Sequence, residues 1–439
     1  MVQDFKMINF HKHIYLIGEQ LRNPSLSSIY KELKNCENLS IDELRVLQLQ
    51  RLKELVNFTY AHSDFYKRKM DKIGLKPNDI KTLKDISKIP ILTKQDLLQY
   101  NLEIHTTKKY AFKKLFKANT SGTTGDALSF YKDEYADSFN RASIARGYSW
   151  YNVKPWDFSG YFWGFNFNFF QKIKTRFFDY LVNRFRLFSY KEKDLIFFVK
   201  KIKKAKYIEG YSSMIFQTAK LINNKVLPKP KSIKMVKGTS EKIYHSYQDE
   251  VKKAFGSKMI SEYGAAETGI IAFECSAGNM HINMEGVIIE QADDEIIVTN
   301  LIMKSFPILR YKLGDYIVLE HSNYKCSCGL NHPVIKEVTG RVGKNVYGYK
   351  NIYPSLYFYY IFKNLDKNKQ LKLTYQIIQK ERGKLDFNIS EKLSKSEKKI
   401  LSNEIIKYFG NDVEFNINDD ADLFKDKNQK LKSFISYVK

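Results

Sequence analysis

The sequence predicts an α/β protein, a large α/β unit followed by a small α+β unit. Three observations carry this. Strand and helix signals alternate from Tyr207 to Phe255, strand signals dominate from Gly286 to Glu320, and a strand–strand–helix–strand pattern follows Gly340-Arg341. With 439 residues, 43% hydrophobic and 28% charged, the chain can bury a large core and is neither a disordered polymer nor a coiled rod.

Taken in order, residues 27–75 read as helix. Ile41, Leu44, Leu47, Leu52, Leu55 and Val56 recur at helical spacing behind Ser40, whose hydroxyl can cap a helix N-terminus. Residues 77–99 break into turns around Pro77, Pro90 and Thr93. Leu115-Phe116-Lys117-Ala118 enters the loop 119–125, and a short apolar strand over 128–131 precedes a helix to Ser149. Between Asp157 and Phe198 lies a tract packed with Phe, Tyr and Trp, then interleaved with Lys and Arg. The alternating part comprises a strand at Tyr207-Ile208, a helix over 212–223, a strand over 233–236 and a helix over 240–255. In the small unit the pattern predicts strands over 371–378 and 385–389, an amphipathic helix over 394–409 and a strand over 413–417. Gly340, Gly343 and Gly348 mark the boundary, near residue 341.

The net charge of +25 invites a nucleic-acid reading, but 61 of the 73 basic residues are lysine and 12 are arginine. Surfaces that read phosphates and bases favour the planar guanidinium fork, so the excess reads as a composition bias and no nucleic-acid partner is expected. Cys36, Cys275, Cys326 and Cys328 are too few for a disulfide scaffold in a chain this long. The start Met-Val-Gln-Asp-Phe-Lys lacks a basic-then-apolar signal, and no apolar run approaches the roughly 20 residues of a membrane span. A cytoplasmic location is expected, with peripheral contact at the inner membrane face as an open option.

Several segments could carry chemistry. Thr120-Ser-Gly-Thr-Thr-Gly125 combines two glycines with four hydroxyls; small residues let backbone N–H groups close on an anion and hydroxyls add donors, although the same run also suits a flexible turn. In Glu262-Tyr-Gly-Ala-Ala-Glu-Thr268, Tyr263 offers a ring for stacking and Glu267 a carboxylate for a divalent cation; a strand end with a buried tyrosine is the plainer alternative. Phe306-Pro-Ile-Leu-Arg-Tyr-Lys-Leu-Gly-Asp315 sets a carboxylate after a glycine turn, where it can accept both hydroxyls of a ribose or serve as a turn aspartate. Gly340-Arg341 follows, and near the end Asn428-Gln-Lys-Leu-Lys432 holds Lys430.

The order of these motifs resembles the adenylate-forming ligase superfamily, and within it the phenylacetate–CoA ligase-like branch with its CapK-like capsular-polysaccharide relatives. Asp64-Phe-Tyr66, Ile89-Pro-Ile-Leu-Thr-Lys94, Glu209-Gly-Tyr-Ser-Ser213, Gly238-Thr-Ser-Glu241 and Phe273-Glu-Cys275 add to it, so it runs from about residue 44 to the C-terminus. The phosphate loop continues Asp126-Ala127 where phenylacetate enzymes carry Lys-Pro, which places the chain nearer the capsular branch.

The resemblance implies a large multi-layer N-terminal adenylation domain over 1–340, binding ATP and acid, and a small mobile α+β C-terminal lid over 341–439. It implies that Ser121, Gly122, Thr123, Thr124 and Gly125 cradle the ATP phosphates, with Thr124 acting in catalysis. Gly238, Thr239 and Ser240 would line the adenine, Tyr263 beside Gly264 would stack on it, Asp315 would bind the ribose and Arg341 would lie close by. Glu267 would help hold Mg²⁺, and Lys430 would reach the α-phosphate and the acid. The implied activity joins a small-molecule carboxylic acid to CoA, or to an amine or hydroxyl acceptor in cell-surface polysaccharide biosynthesis, through an acyl-adenylate. The rival is a non-catalytic basic protein binding membrane or nucleic acid on a degenerate ligase scaffold.

Beside this, Cys275, His281, Cys326 and Cys328 offer three thiolates and one imidazole, a set suited to tetrahedral structural zinc, with His332 as a competing fourth ligand. The alternative is two buried residues and a Cys-x-Cys turn. The aromatic tract admits three readings: core, a wall of an acyl pocket, or a basic aromatic helix on a membrane surface.

Overall fold

The computed structural model describes residues 10–120, 128–162, 169–188, 191–239, 241, 243–292, 295–341, 345–423 and 432–438. Strands β1 (Leu115–Asn119) and β2 (Ser129–Asp133) form an antiparallel ladder of their own. A central sheet takes the next eleven: β3 (Ser159–Phe162), β4 (Arg184–Leu187), β5 (Tyr207–Tyr211), β6 (Met235–Thr239), β7 (Met259–Ala265), β8 (Gly269–Glu274), β9 (Met280–Ile282), β10 (Val287–Ala292), β11 (Glu295–Asn300), β12 (Ile308–Leu319) and β13 (Val334–Arg341). Their spatial order is β10-β11-β12-β13-β9-β8-β7-β6-β5-β3-β4. β14 (Asn345–Tyr347) pairs with β15 (Ile352–Pro354), and β16 (Tyr375–Gln379), β17 (Lys384–Ile389), β18 (Glu414–Asn418) and β19 (Phe434–Ser436) form a small sheet in the order β18-β17-β16-β19.

The central sheet has two characters. β4, β3, β5, β6 and β7 are parallel, joined by the helices Phe169–Leu181, Glu192–Lys201, Ser212–Asn224 and His245–Phe255. Parallel strands need such crossovers and are covered by them, which is why every residue of β5 is buried. From β7 through β8 to β10 every pairing is antiparallel. β7 is therefore the seam between the two halves.

Local chemistry accounts for several boundaries. Ser40 and Glu43 form a capping box at the start of the helix Ile41–His62, with Ser40 N donating to the Glu43 carboxylate at 2.8 Å. The region expected to be only turns contains the helix Lys94–Gln99, because Thr93 and Asp96 make the same box. The helix expected over 240–255 spans His245–Phe255 among the described residues. In the small unit Ser394 caps the helix Lys395–Phe409. β19, parallel to β16, had no counterpart in the sequence reading.

Two large apolar clusters fill the molecule. One joins the N-terminal helices to the antiparallel strands. The other runs from Phe162 and Phe198 through the parallel half into the small sheet, ending at Phe434. Where the two sheets meet, Ser246 and Thr374 share a hydrogen bond of 2.7 Å and the Tyr244 and Tyr375 rings pack edge to face. The aromatic tract divides: Phe162 and Phe198 are core, whereas Phe169, Phe170 and Phe177 are exposed.

Candidate functional site

A cleft of about 2000 Å³ lies over the seam strand and reaches the small sheet. Thr120, Thr239, Tyr263, Gly264, Glu267 and Asp315 are on its wall. Tyr263 Oη donates to Asp315 Oδ2 at 2.9 Å, joining β7 to β12. Asp315 in turn faces Arg341 as its register partner in the β12–β13 ladder.

Asp315 is not in a turn, as the glycine before it suggested. It lies inside the continuous strand β12, where the pairing with β11 jumps from Tyr316–Glu295 to Lys312–Ile297 and Gly314 takes φ +83°. The feature is a bulge, and bulges re-aim side chains next to binding sites. Gly264 is required for another reason: a Cβ there would lie 2.3 Å from the Gly269 carbonyl oxygen, so only glycine lets β7 and β8 close. Gly238 is not on the cleft wall; a Cβ on it would strike Ser212 Oγ at 2.5 Å and Met259 Sδ at 2.7 Å.

Glu267 occupies the turn between β7 and β8. Asn300 Nδ2 donates to Thr268 O at 2.9 Å and Ala265 N donates to Thr268 Oγ1 at 3.2 Å, so the turn is held from both sides. Glu267 is only 6% exposed and sits on the cleft wall. A carboxylate set into the wall of a cleft is a candidate cation ligand. Lys132 shares the cleft, and burial pushes its ammonium below the usual lysine value against the pull of Asp137 and Glu267.

Ser121, Gly122, Thr123, Thr124, Gly125, Ser240 and Lys430 lie outside the described residues, as does the Arg341 side chain. The flanks of the glycine-rich loop are described: Thr120 N donates to Leu128 O at 2.9 Å, and Leu128 N donates to Thr120 Oγ1 at 3.0 Å. Lys432, two residues beyond Lys430, lines the cleft from the small sheet.

The motif reading missed a charged floor. Lys237 Nζ lies 2.7 Å from Glu262 Oε2 and 3.2 Å from Glu209 Oε2, and Tyr148 Oη donates to Glu209. Arg184 stands 3.7 Å from both Glu209 and Asp179, and Arg186 Nε 2.7 Å from Asp179. Burial opposes the charge on Lys237, but the Glu262 and Glu209 carboxylates outweigh it and hold the ammonium above its usual value. The signal was a charged residue inside each of two apolar parallel strands, Tyr-Ile-Glu209-Gly-Tyr and Met-Val-Lys237-Gly-Thr.

Beside the cleft, the ligand atoms of Cys275, His281, Cys326 and Cys328 all lie within 4.8 Å of one another. Cys275 Sγ and Cys326 Sγ are 3.7 Å apart, and Cys328 Sγ is 3.2 Å from His281 Nε2. Zinc–sulfur bonds of about 2.3 Å and zinc–nitrogen bonds of about 2.0 Å in a tetrahedron need edges of about that size. His281 Nδ1 donates to the His332 carbonyl at 2.8 Å, which turns Nε2 toward the thiols. The His332 ring is committed elsewhere, with Nε2 3.0 Å from Glu285 Oε1. The donor set fits zinc and would tie the end of β8 and β9 to the β12–β13 connection.

No family model matches the chain. It is 26% identical over 303 residues to the protein CapK of Staphylococcus aureus, covering 66% of this chain and 66%, just under two thirds, of that protein. It is 44% identical over 66 residues to the phenylacetate–coenzyme A ligase of Escherichia coli strain K12, 15% of each chain. The crystal structure of a 2-hydroxyisobutyryl-CoA ligase in the postadenylation state, in complex with R3-HIB-AMP, superposes with a TM-score of 0.71 over 92% of this chain and 91% of that one. At 15% identity that likeness is one of fold.

Proposed function

From a chain of the adenylate-forming ligase superfamily, with CapK-like and phenylacetate–coenzyme A ligase homologues, we propose that the cleft activates a carboxylic acid with ATP. One observation carries the reading: Thr239, Tyr263, Glu267 and Asp315, from three separate motifs, border one cleft, with Tyr263 bonded to Asp315.

The chemistry follows from charge. An oxygen of the acid attacks the α-phosphorus of ATP, the bond to the β-phosphate oxygen breaks, and pyrophosphate leaves with that electron pair. Two anions must meet, so aligned donors and cations have to offset their repulsion. Ser121 to Gly125 hold the phosphates, and Thr124 donates to them. Thr239 and Ser240 shape the adenine site with Gly238 packed behind them, the Tyr263 ring stacks on the base beside Gly264, and Asp315 accepts the ribose hydroxyls near Arg341. Glu267 suits Mg²⁺, which would neutralise phosphate charge. Lys430 brings a compact positive charge from the unit 341–439, a lid over the unit 1–340.

The adenylate then gives its acyl group to CoA or to an amine or hydroxyl acceptor. The CapK likeness spans 66% of the chain against 15% for the phenylacetate enzyme; with the resemblance of the motifs to the capsular-polysaccharide branch, it supports an acceptor in cell-surface polysaccharide biosynthesis. Cys275, His281, Cys326 and Cys328 would hold a structural zinc beside the site. Mass spectrometry after incubation with ATP, Mg²⁺ and a pool of organic acids tests the proposal. An acyl-adenylate mass identifies the acid. Absence of any such species, with membrane or nucleic-acid binding indifferent to ATP, overturns the reading in favour of a non-catalytic protein.

A further inference from the structure

Two helices carry apolar faces outward. In the helix Phe169–Leu181, Phe169, Phe170, Ile173, Phe177 and Tyr180 are 52% to 79% exposed, Phe178 lines the cleft, and Asp179 is the buried residue. At 3.6 residues per turn, Asp179 points about 180° away from Phe170, so the aromatic stripe lies on the side opposite the protein core. Lys174 falls within the stripe and Arg176 at its edge, both exposed, whereas Lys172 is partly buried about 20° from Asp179. The helix's one carboxylate, Asp179, is turned inward onto Arg184 and Arg186.

The helix Phe10–Arg22 lies alongside. His11 Nδ1 donates to Leu181 O at 3.3 Å, and the His11 ring packs edge-on to Tyr180. None of its residues is buried, and Phe10, Ile14, Ile17 and Leu21 recur at i, i+4, i+7 and i+11, one stripe of a helix. Phe10, Ile17 and Leu21 are more than half exposed.

We propose that this helix pair docks the protein on an anionic lipid surface, lying in the plane of the headgroups. Bulky aromatics flanked by cations, with no outward carboxylate on the helix Phe169–Leu181, fit the boundary between acyl chains and acidic headgroups. A second copy of the chain is the poorer occupant, because a two-fold contact would set Lys174 and Arg176 against themselves. Among the described residues no helix is long and apolar enough to cross a membrane. The other side of the same pair faces the cleft, whose wall includes Thr175, Asp179 and Tyr15. Docking would hold that wall against the headgroups. The inference stands on exposure and charge and does not depend on the reaction proposed above.

The test is flotation of the full chain with phosphatidylcholine vesicles, with and without phosphatidylglycerol. The expected result is co-flotation with the anionic vesicles alone, weakened by salt. Phe170→Ser with Phe177→Ser should cut partitioning roughly tenfold or more, since each ring leaves an apolar environment. Lys174→Glu with Arg176→Glu should abolish the preference for anionic lipid; all four side chains are exposed. The proposal is overturned if the native protein stays with the unbound fraction at low salt, if both double variants float like it, or if the serine pair instead converts a dimer to a monomer.

Discussion

The Tyr263 hydroxyl donates a 2.9 Å hydrogen bond to Asp315, although three strands separate β7 from β12 in the sheet order. Neighbouring strands lie about 4.8 Å apart, so in a flat sheet these two would be roughly 19 Å from each other. The antiparallel half must curl to bring them together, and Asn300 on β11 bonding the Thr268 carbonyl beyond β7 confirms the curl.

If that pair frames the nucleoside, its loss weakens nucleotide binding while the fold survives. Tyr263→Phe and Asp315→Asn should each lower ATP affinity about 5- to 30-fold, the worth of about 1–2 kcal/mol of hydrogen bonding. Titration calorimetry checks this. Unchanged ATP affinity in both variants removes the pair from the nucleotide site.

The thiol cluster predicts one zinc per chain. Cys328→Ser should abolish the bound metal and lower the melting temperature, and a strong chelator should do the same to the native protein. Elemental analysis of protein purified without added metal is the check; a metal-free protein of undiminished stability refutes it.

Lys237 neutralises two buried carboxylates at once. Lys237→Met leaves Glu209 and Glu262 facing each other without it and should cost about 3–5 kcal/mol in urea unfolding. A loss below 1 kcal/mol, on the order of an exposed pair, would show that Arg184 alone suffices for Glu209.

Asp137 supplies a pH test. Burial would raise its carboxyl, but the Arg141 and Arg22 guanidiniums and Asn23 win and hold it at about 2. A carboxyl lowered in the folded state stabilises fully above the unfolded value near 3.9, and that contribution is lost as pH falls through about 2. Asp137→Asn should therefore cost on the order of 1–2 kcal/mol at neutral pH, with the gap to the native protein closing between about pH 4 and pH 2. A gap independent of pH contradicts the assignment.

Much of this was legible along the chain because the signals are local. Ser40 with Glu43, and Ser394 with Glu397, announce helix starts within four residues. Tyr263, Glu267 and Asp315 could be singled out by residue type, but the curl that joins β7 to β12 depends on long-range register and has no local signature. Gly314 before Asp315 suggests a turn in sequence because a positive-φ glycine serves a turn and a bulge equally well. Glu209 and Lys237 were hidden because each looks like one more charge until its strand is known to be buried. The exposed stripe Phe169, Phe170, Ile173 and Phe177 reads the same in sequence whether it faces core or solvent; only the neighbouring elements decide.

The most direct measurement is acid-dependent exchange of labelled pyrophosphate into ATP, run with a panel of carboxylic acids. At least one acid should support exchange in the native protein, with Glu267→Gln and Lys430→Ala each reducing it on the order of 100-fold. No exchange with any acid, or exchange undiminished in both variants, would contradict the claim that this cleft makes an acyl-adenylate.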